Sequence, residues 1–227
     1  MLMRSSSRVD AVRAGLIADH QDTPYYDQAE DPVWVGIFWS EPSIFLDGFR
    51  QLDLSSVMEL ACGRGRHAEQ FADRAGKVVL IDPLKANVEA CRRRHARRRN
   101  VSVRRNNGRD LSGCRDGEFT AVFSYDAMVH FEATDTIRYL GEIARVLRPG
   151  GRALLHYSTD DSRPVGSYRD HPRWRSFFSE PMMLHFAGRA GLHALSSVRT
   201  SWPPNNGEPP VDGCILLEKT QPMQLKS

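Results

Sequence analysis

Apolar and polar positions fall into two regimes along the chain. From residue 55 onward, short apolar runs alternate with stretches of helical period. "SVMELA" reads as a buried strand and "RHAEQFADRA" as a helix. "KVVLID" is a second strand. "PLKANVEACRRRHARR" is a helix that turns Ala86, Val88, Ala90 and Cys91 toward a sheet. "VSVRRN" and "FTAVFSY" are the third and fourth strands. Over "ATDTIRYLGEIARVLRPGG", Ile137, Leu140, Ile143, Ala144 and Leu147 form one apolar face. Thr134 is the expected N-cap there, and Pro149-Gly150-Gly151 ends the helix. "RALLHYS" is the fifth strand. Ser179 and Pro181 open a helix that Gly191 closes, and "LHALSSV" and "CILLEK" make a final pair of strands. The intervening "SWPPNNGEPPVDG" is a loop by its Pro, Gly and Asn content.

Residues 1–50 lack this alternation. Val9, Val12, Leu16 and Ile17 sit at helical spacing, followed by Tyr25, Tyr26, Trp34, Phe38, Trp39, Phe45 and Phe49. The expectation is an N-terminal helical extension over 1–50 that packs on, or lids, a domain over 51–227. Strands alternating with helices predict an α/β, doubly wound, mainly parallel sheet. Ligands of such sheets sit beyond the C-terminal strand ends, where the strand order reverses.

Composition narrows the classes. The chain has 227 residues, 41% hydrophobic and 26% charged, with a formal charge of +3, which reads as an ordinary globular protein. The run "CRRRHARRRN" with Arg104 and Arg105 raises a nucleic-acid patch. It lacks interleaved aromatics and lies at one helix end, where cations suit the dipole, so a solvated helix end is favoured over a nucleic-acid partner. Cys62, Cys91, Cys114 and Cys214 include no C-x-x-C pair, which favours a reducing compartment over a disulfide framework. No apolar run approaches a membrane span, and Arg13 interrupts any signal-peptide core, so the expected place is the cytoplasm without a membrane partner. No feature of the sequence sets an oligomeric state.

The chemistry starts at "VMELACGRGRHAEQFA". A carboxylate, Glu59, ends the first strand; Ala61, Gly63 and Gly65 follow in a tight turn, and Asp82 ends the second strand. A glycine turn between strand and helix holds a ligand against its backbone, and an acid after the second strand takes two ribose hydroxyls. The turn is tighter than a pyrophosphate fingerprint, and Glu59 suits a cationic group nearby.

This pattern resembles motif I of the class I S-adenosylmethionine-dependent methyltransferases, Glu/Asp-x-Gly-x-Gly-x-Gly, with Ala61 in place of the first glycine. The resemblance covers roughly residues 55–160. Asp82 with Pro83 matches the ribose-binding acid of motif II. "NNGRDL" matches the loop near the adenine amino group, with Asn107 as the acid-or-amide position and Gly108 and Arg109 giving backbone contacts. "FTAVFSYDAMVHF" matches the fourth strand and its exit, including Tyr125 and Asp126, and "ARVLRPGGRALLH" the shared helix, turn and fifth strand. The resemblance implies the seven-stranded Rossmann-like methyltransferase fold with a reversed C-terminal β-hairpin, and S-adenosyl-L-methionine as cofactor. From Asp126 onward the chain also looks like bacterial methyltransferases assigned to sugars and small natural products, through "FSYDAMVHFEA", "LLHYS", "HPRWRSFFS", Trp202 and "DGC".

A hydroxyl nucleophile has to lose its proton, and a neutral imidazole in reach contributes typically about 10²–10⁴-fold. His130, past the fourth strand, and His156, at the end of the fifth, are the candidate bases. Asp126 would orient His130 or contact the cofactor's methionine part. Trp174, Arg175, Trp202 and Trp39 are candidate acceptor contacts, since aromatic faces suit sugar rings and Arg suits an anion. No His and acid cluster has ligand spacing, so no metal is expected; Asp160 and Asp161 are the one pair that could hold a divalent ion. The expected protein is an enzyme that methylates a hydroxyl of a sugar or natural product. Methylation of an amine or carboxyl of a small metabolite, methylation of RNA, and cofactor binding without transfer stand as alternatives.

Overall fold

The computed structural model describes residues 8–21, 23–201 and 209–220. Seven strands form one sheet: β1 (Val57–Leu60), β2 (Val78–Asp82), β3 (Val101–Arg105), β4 (Phe119–Ser124), β5 (Leu147–Ser158), β6 (Leu192–Thr200) and β7 (Asp212–Lys219). Their order is β3-β2-β1-β4-β5-β7-β6. The first five strands are parallel, and β7 runs antiparallel to both β5 and β6. The expected α/β, doubly wound fold with its reversed terminal hairpin is therefore the fold observed.

Every residue of β1, β2 and β4 is buried, as a strand covered on both faces requires. Side-chain alternation divides them between two cores. Met58, Leu60, Val79 and Ile81 face one layer with Tyr139, Leu140 and Ile143 of α7 (Ala133–Val146) and Met183 and Ala187 of α8 (Glu180–Arg189). Val57, Val78 and Leu80 face the other, which holds Phe71 of α5 (Ala68–Phe71) and Cys91 of α6 (Lys85–Arg94). Within the extension lie α1 (Arg8–Asp19), α2 (Tyr25–Gln28), α3 (Pro32–Trp39) and α4 (Ile44–Phe49). Phe38, Phe45, Leu46 and Phe49 belong to that second core, so α3 and α4 are built into the sheet's cover. α1 is fixed to α7 by Arg13, whose Nε donates to Asp135 at 2.9 Å.

Local details depart from the pattern reading at helix ends. The helix after β1 is α-helical only over Ala68–Phe71 and continues as a 3₁₀ turn over Ala72–Arg74. α7 begins at Ala133 with Glu132 in the cap position, so Thr134 lies inside its first turn. β5 begins at Leu147, because Pro149-Gly150-Gly151 is carried within the strand. The cap at Ser179 is as expected, its side chain accepting from the Met182 N–H. Among the described residues no helix is long and apolar enough to cross a membrane.

Three arginines of the run and its neighbours are ion-paired within the chain, while Arg92, Arg93, Arg97 and Arg99 are exposed. Arg94 pairs with Glu30 and Glu69, Arg98 with Asp73, and Arg104 with Glu118. Glu118, just before β4, also takes Lys77 at 2.7 Å and the Arg115 N–H at 2.9 Å, tying β2, β3 and β4 together at their bases. Burial would raise its pKa, but Arg104, Lys77 and that N–H hold it down at about 2. A depressed carboxylate stabilises the fold above its unfolded pKa and loses that contribution as pH falls toward the folded value. Glu118→Gln should therefore lower stability at neutral pH by about 1–2 kcal/mol, discounted for the partly exposed partners. Urea denaturation should show the gap between variant and parent closing between about pH 4.5 and pH 2; a gap independent of pH would show the ion pairs to be inert.

Candidate functional site

The strand order reverses between β1 and β4, and both chains leave the sheet there through left-handed backbone. Ala61 follows β1 with φ +55°, Gly63 and Gly65 have φ +54° and +76°, and Asp126 beyond β4 has φ +54°. A cavity opens over these ends. It is lined by Glu59, Ala61, Gly63, Asp82, Pro83, Tyr125, Asp126 and His130 from the domain. Leu16, Ile17, His20, Tyr25 and Tyr26 close it from the extension. A smaller cavity shares Ile17, Ala61, Pro83 and Phe131 with it and continues past Gly108 and Asn106.

Asp82 organises the glycine turn. Its Oδ2 accepts the Gly63 N–H at 2.9 Å; its Oδ1 accepts the Leu84 N–H at 2.9 Å and the Asn87 amide at 3.1 Å. Burial nevertheless raises its pKa to about 6 against those donors. Glu59 lies 2% exposed beneath the turn, and its Oε2 has no hydrogen-bond partner. Burial lifts its pKa well above the carboxylate range, with Cys91 adding to the effect and Arg66 opposing it. An unpartnered buried carboxylate oxygen beside an N–H-lined turn suits a ligand with a cationic group, and Asp82 retains lone pairs for hydroxyl donors. These residues fit S-adenosylmethionine in chemical type. Tyr26 currently shares the space, since a Cβ at Gly63 would meet its Cε1 at 3.2 Å.

Beyond β4, the Asp126 N–H donates to His156 Nδ1 at 3.1 Å. That leaves Nε2 of His156 as the protonated nitrogen, and it faces Asp212 Oδ1 at 3.5 Å. Arg175 donates to the same carboxylate from Nε at 2.5 Å and from Nη2 at 3.2 Å. His156 is 2% exposed and Arg175 3%, and neither lines the cavity. The structure thus places these two as supports for the Asp126 backbone. Asp126 in turn accepts from the Tyr25 hydroxyl.

His130 does line the cavity. Its Nδ1 lies 2.6 Å from the Trp174 carbonyl, which can only accept, so Nδ1 carries the proton and Nε2 the lone pair. Burial, then Arg175 and His20, push its pKa down to about 3. Trp174 lines the cavity while remaining 62% exposed. Trp39 stacks on Phe38 at 4.1 Å, donates to His67 Nδ1 at 3.0 Å, and is not among the lining residues. Asn107 folds onto its own loop, its side chain accepting the Arg109 and Asp110 N–H groups, and neither it nor Arg109 reaches the main cavity. Gly65 packs under the turn against Cys91 and His95. Trp202 lies outside the described residues. Asp160 accepts from Ser162 and lies 3.6 Å from His171, and Asp161 is exposed. Among the described residues no three His, Cys, Asp or Glu side chains are placed to hold a metal ion.

Sequence reasoning missed His20, Arg66, Phe131 and Tyr168. Arg66 donates to the Ala29 carbonyl and to the Tyr25 hydroxyl, latching α2 over the turn. His20, Phe131 and Tyr168 reach the cavity from three separate segments, and no local pattern marks them.

Residues 57–151 match the family model of a methyltransferase domain. A probable S-adenosylmethionine-dependent methyltransferase of Mycolicibacterium smegmatis is 33% identical over 116 residues, 51% of this chain and 42% of the relative. The ubiquinone biosynthesis O-methyltransferase of Methylocella silvestris is 26% identical over 175 residues, 70% of this chain and 66% of the relative. This chain thus spans less than two thirds of those relatives' length. Among solved structures, a Pyrococcus horikoshii protein superposes with TM-score 0.67 at 16% identity, covering 89% of this chain and 99% of the other. Geranyl diphosphate C-methyltransferase from Streptomyces coelicolor, solved with S-adenosyl-L-homocysteine, gives 0.66 at 15% identity, covering 96% of this chain and all (100%) of the other. These two structural likenesses show the fold.

Asp82→Asn should weaken S-adenosylmethionine binding by about 1.5–3 kcal/mol, the range for hydrogen bonds to a charged group. Protonation of Asp82 below about pH 6 removes an acceptor, so the parent's affinity should fall as pH drops through that value. Calorimetry across pH 5–8 should find this limb reduced in the variant. Equal affinities at every pH would separate Asp82 from the cofactor.

Proposed function

We propose, on the premise of a methyltransferase domain at residues 57–151 with S-adenosyl-L-methionine as its cofactor, that the chain methylates a hydroxyl of a small-molecule acceptor. The observation that carries this reading is His130, a neutral imidazole with a free Nε2 on the cavity wall near Asp126. An acceptor that needs a proton removed has a use for that nitrogen; a neutral amine or a carboxylate does not.

In this reading Gly63, Asp82 and Glu59 hold the cofactor, with Asp82 toward the ribose and Glu59 toward the cationic end. When bound, S-adenosylmethionine would supply an electrophilic methyl and become a neutral thioether, and His130 would take the proton of the acceptor hydroxyl. Positioning supplies much of the acceleration for an in-line displacement. His156, Asp212 and Arg175 contribute by fixing the Asp126 backbone. Residues 16–21 and 23–30 act as a lid that excludes water, since Leu16, Ile17, Tyr25 and Tyr26 close the cavity on one side. The acceptor is a sugar or another natural product, the latter in keeping with relatives such as the O-methyltransferase of ubiquinone biosynthesis.

Methyl-labelled S-adenosylmethionine and a panel of sugars, phenols, amines and carboxylic acids should give label in an O-methyl ether. Label confined to amines or esters would replace the hydroxyl reading. In single turnover, His130→Ala should slow transfer by roughly 10²-fold or more with cofactor affinity little changed. At saturating cofactor the parent should show no limb from His130 between about pH 5 and 8, because its pKa of about 3 keeps it neutral throughout. An unchanged rate in the variant would remove His130 from the chemistry.

A further inference from the structure

The end of the cavity around His130 holds a second imidazole. His20, just past α1, has its ring centroid 5.3 Å from that of His130, and both rings line the cavity. Its Nδ1 lies 2.9 Å from the Leu16 carbonyl, which can only accept a hydrogen bond. His20 therefore carries its proton on Nδ1, as His130 does on the Trp174 carbonyl. Each ring is pinned by one backbone oxygen, and neither Nε2 has a hydrogen-bond partner among the described residues. Tyr168 packs against both, 5.9 Å from His20 and 5.4 Å from His130, with its own hydroxyl donated to Asp19 at 3.0 Å. The wall thus presents two adjacent acceptors and no adjacent donor from these three rings.

The charges around them are already matched. Asp19 pairs with Arg169 and accepts from Tyr168. Asp126 accepts from Tyr25. The cations that line the cavity, Arg64 and Arg66, are held by Asp27 and by the Ala29 carbonyl and Tyr25 hydroxyl. A phosphate or carboxylate on the acceptor would find no uncommitted cation here among the described residues. Leu16, Ile17, Phe131 and Trp174, which also line the cavity, are apolar or aromatic.

We infer that the acceptor is an uncharged planar molecule bearing two neighbouring phenolic hydroxyls, one donated to His130 and methylated, the other donated to His20. This deepens the hydroxyl reading and rests on it. Phenol chemistry suits the base. A phenol titrates near ~10 and an aliphatic hydroxyl nearer water's ~15.7, so a weakly basic imidazole faces several decades less opposition from the phenol. Atoms and charge balance: the phenolic O–H breaks, its proton goes to His130 Nε2, the O–CH₃ bond forms, and the positive charge lost at sulfur reappears on the imidazole. The second hydroxyl remains free, so the product is a monomethyl ether.

Catechol and phenol, compared as acceptors with the full chain and S-adenosylmethionine, test this. Catechol should be favoured at least tenfold in kcat/KM, about the factor one hydrogen bond supplies. His20→Phe keeps a ring in place and should collapse that preference toward one, chiefly through the KM for catechol. General destabilisation would act on both acceptors alike and leave the ratio standing. Equal use of catechol and phenol by the parent, or a ratio unchanged in the variant, overturns the two-imidazole site and leaves hydroxyl methylation intact. So does methylation of glucose with catechol untouched. Failure to bind S-adenosylmethionine by calorimetry overturns the function reading itself.

Discussion

The hydrogen bond from the Gly63 N–H to the Asp82 carboxylate joins the ends of two parallel strands, and the rest of the site is arranged around it. Parallel strands β1 and β2 lie in register, Glu59 opposite Leu80 and Leu60 opposite Ile81, so their C-terminal ends emerge side by side. The turn after β1 must then bend back within a few residues, through left-handed backbone at Ala61, Gly63 and Gly65. Left-handed backbone is costly for a residue with a side chain, by roughly 1–2 kcal/mol. The Asp82 carboxylate offsets such a cost by satisfying an amide of the turn. The same carboxylate is left buried and reluctant to ionise, with its pKa raised to about 6, which is the condition in which further hydroxyl donors stabilise it most.

A second constraint of the same kind acts at β4. Asp126 also adopts a left-handed conformation, and its N–H is met by His156, which Asp212 and Arg175 hold from behind. Asp212 is wholly buried, and its pKa stays at about 2 because His156 and Arg175 outweigh the effect of burial. Removing Arg175 would take the cationic partner from a buried carboxylate, a costly change, whereas removing the neutral His156 would take away a hydrogen-bonding neighbour. The ionic chain therefore belongs to the framework. It converts three side chains from β5, β7 and the preceding loop into the fixed direction of one backbone amide.

This explains which residues were legible in the sequence. Glu59, Gly63, Asp82 and Pro83 could be placed together from sequence, and line the cavity, because a strand, a turn and a second strand position them by local rules alone. His130 lines the cavity because it follows a strand end on the same rim. His156 sits on that rim too, but strand alternation turns it inward against Tyr125, 5.1 Å away. Arg175 was read as an acceptor contact because Arg suits an anion, whereas its partner is Asp212, on a strand far along the chain. Trp39 stood out by its size, and size is what the second core uses. His20 carried no signal at all, since its place depends on α1 docking to α7 through Arg13 and Asp135. Local chemistry was thus readable where the strands dictate it, and unreadable where two distant segments meet.

The docked extension also sets a conflict inside the site. The same segment that brings His20 to His130 lays Tyr26 over Gly63, where ligand atoms must come close to the turn. Its fastenings differ in strength. The Arg64–Asp27 pair is exposed and is worth little in water. Arg94 with Glu30 is better shielded and is supported by a bond to the Arg64 carbonyl. Arg66 is 8% exposed and holds both the Ala29 carbonyl and the Tyr25 hydroxyl. Filling the space above Gly63 sets Tyr26 against the Arg94–Glu30 pair and the Arg66 latch that hold α2, while Arg13 keeps α1 against α7. The meeting of His20 with His130 therefore rests on α1 and its bond to α7, and the place of Tyr26 over Gly63 rests on α2 and its own fastenings.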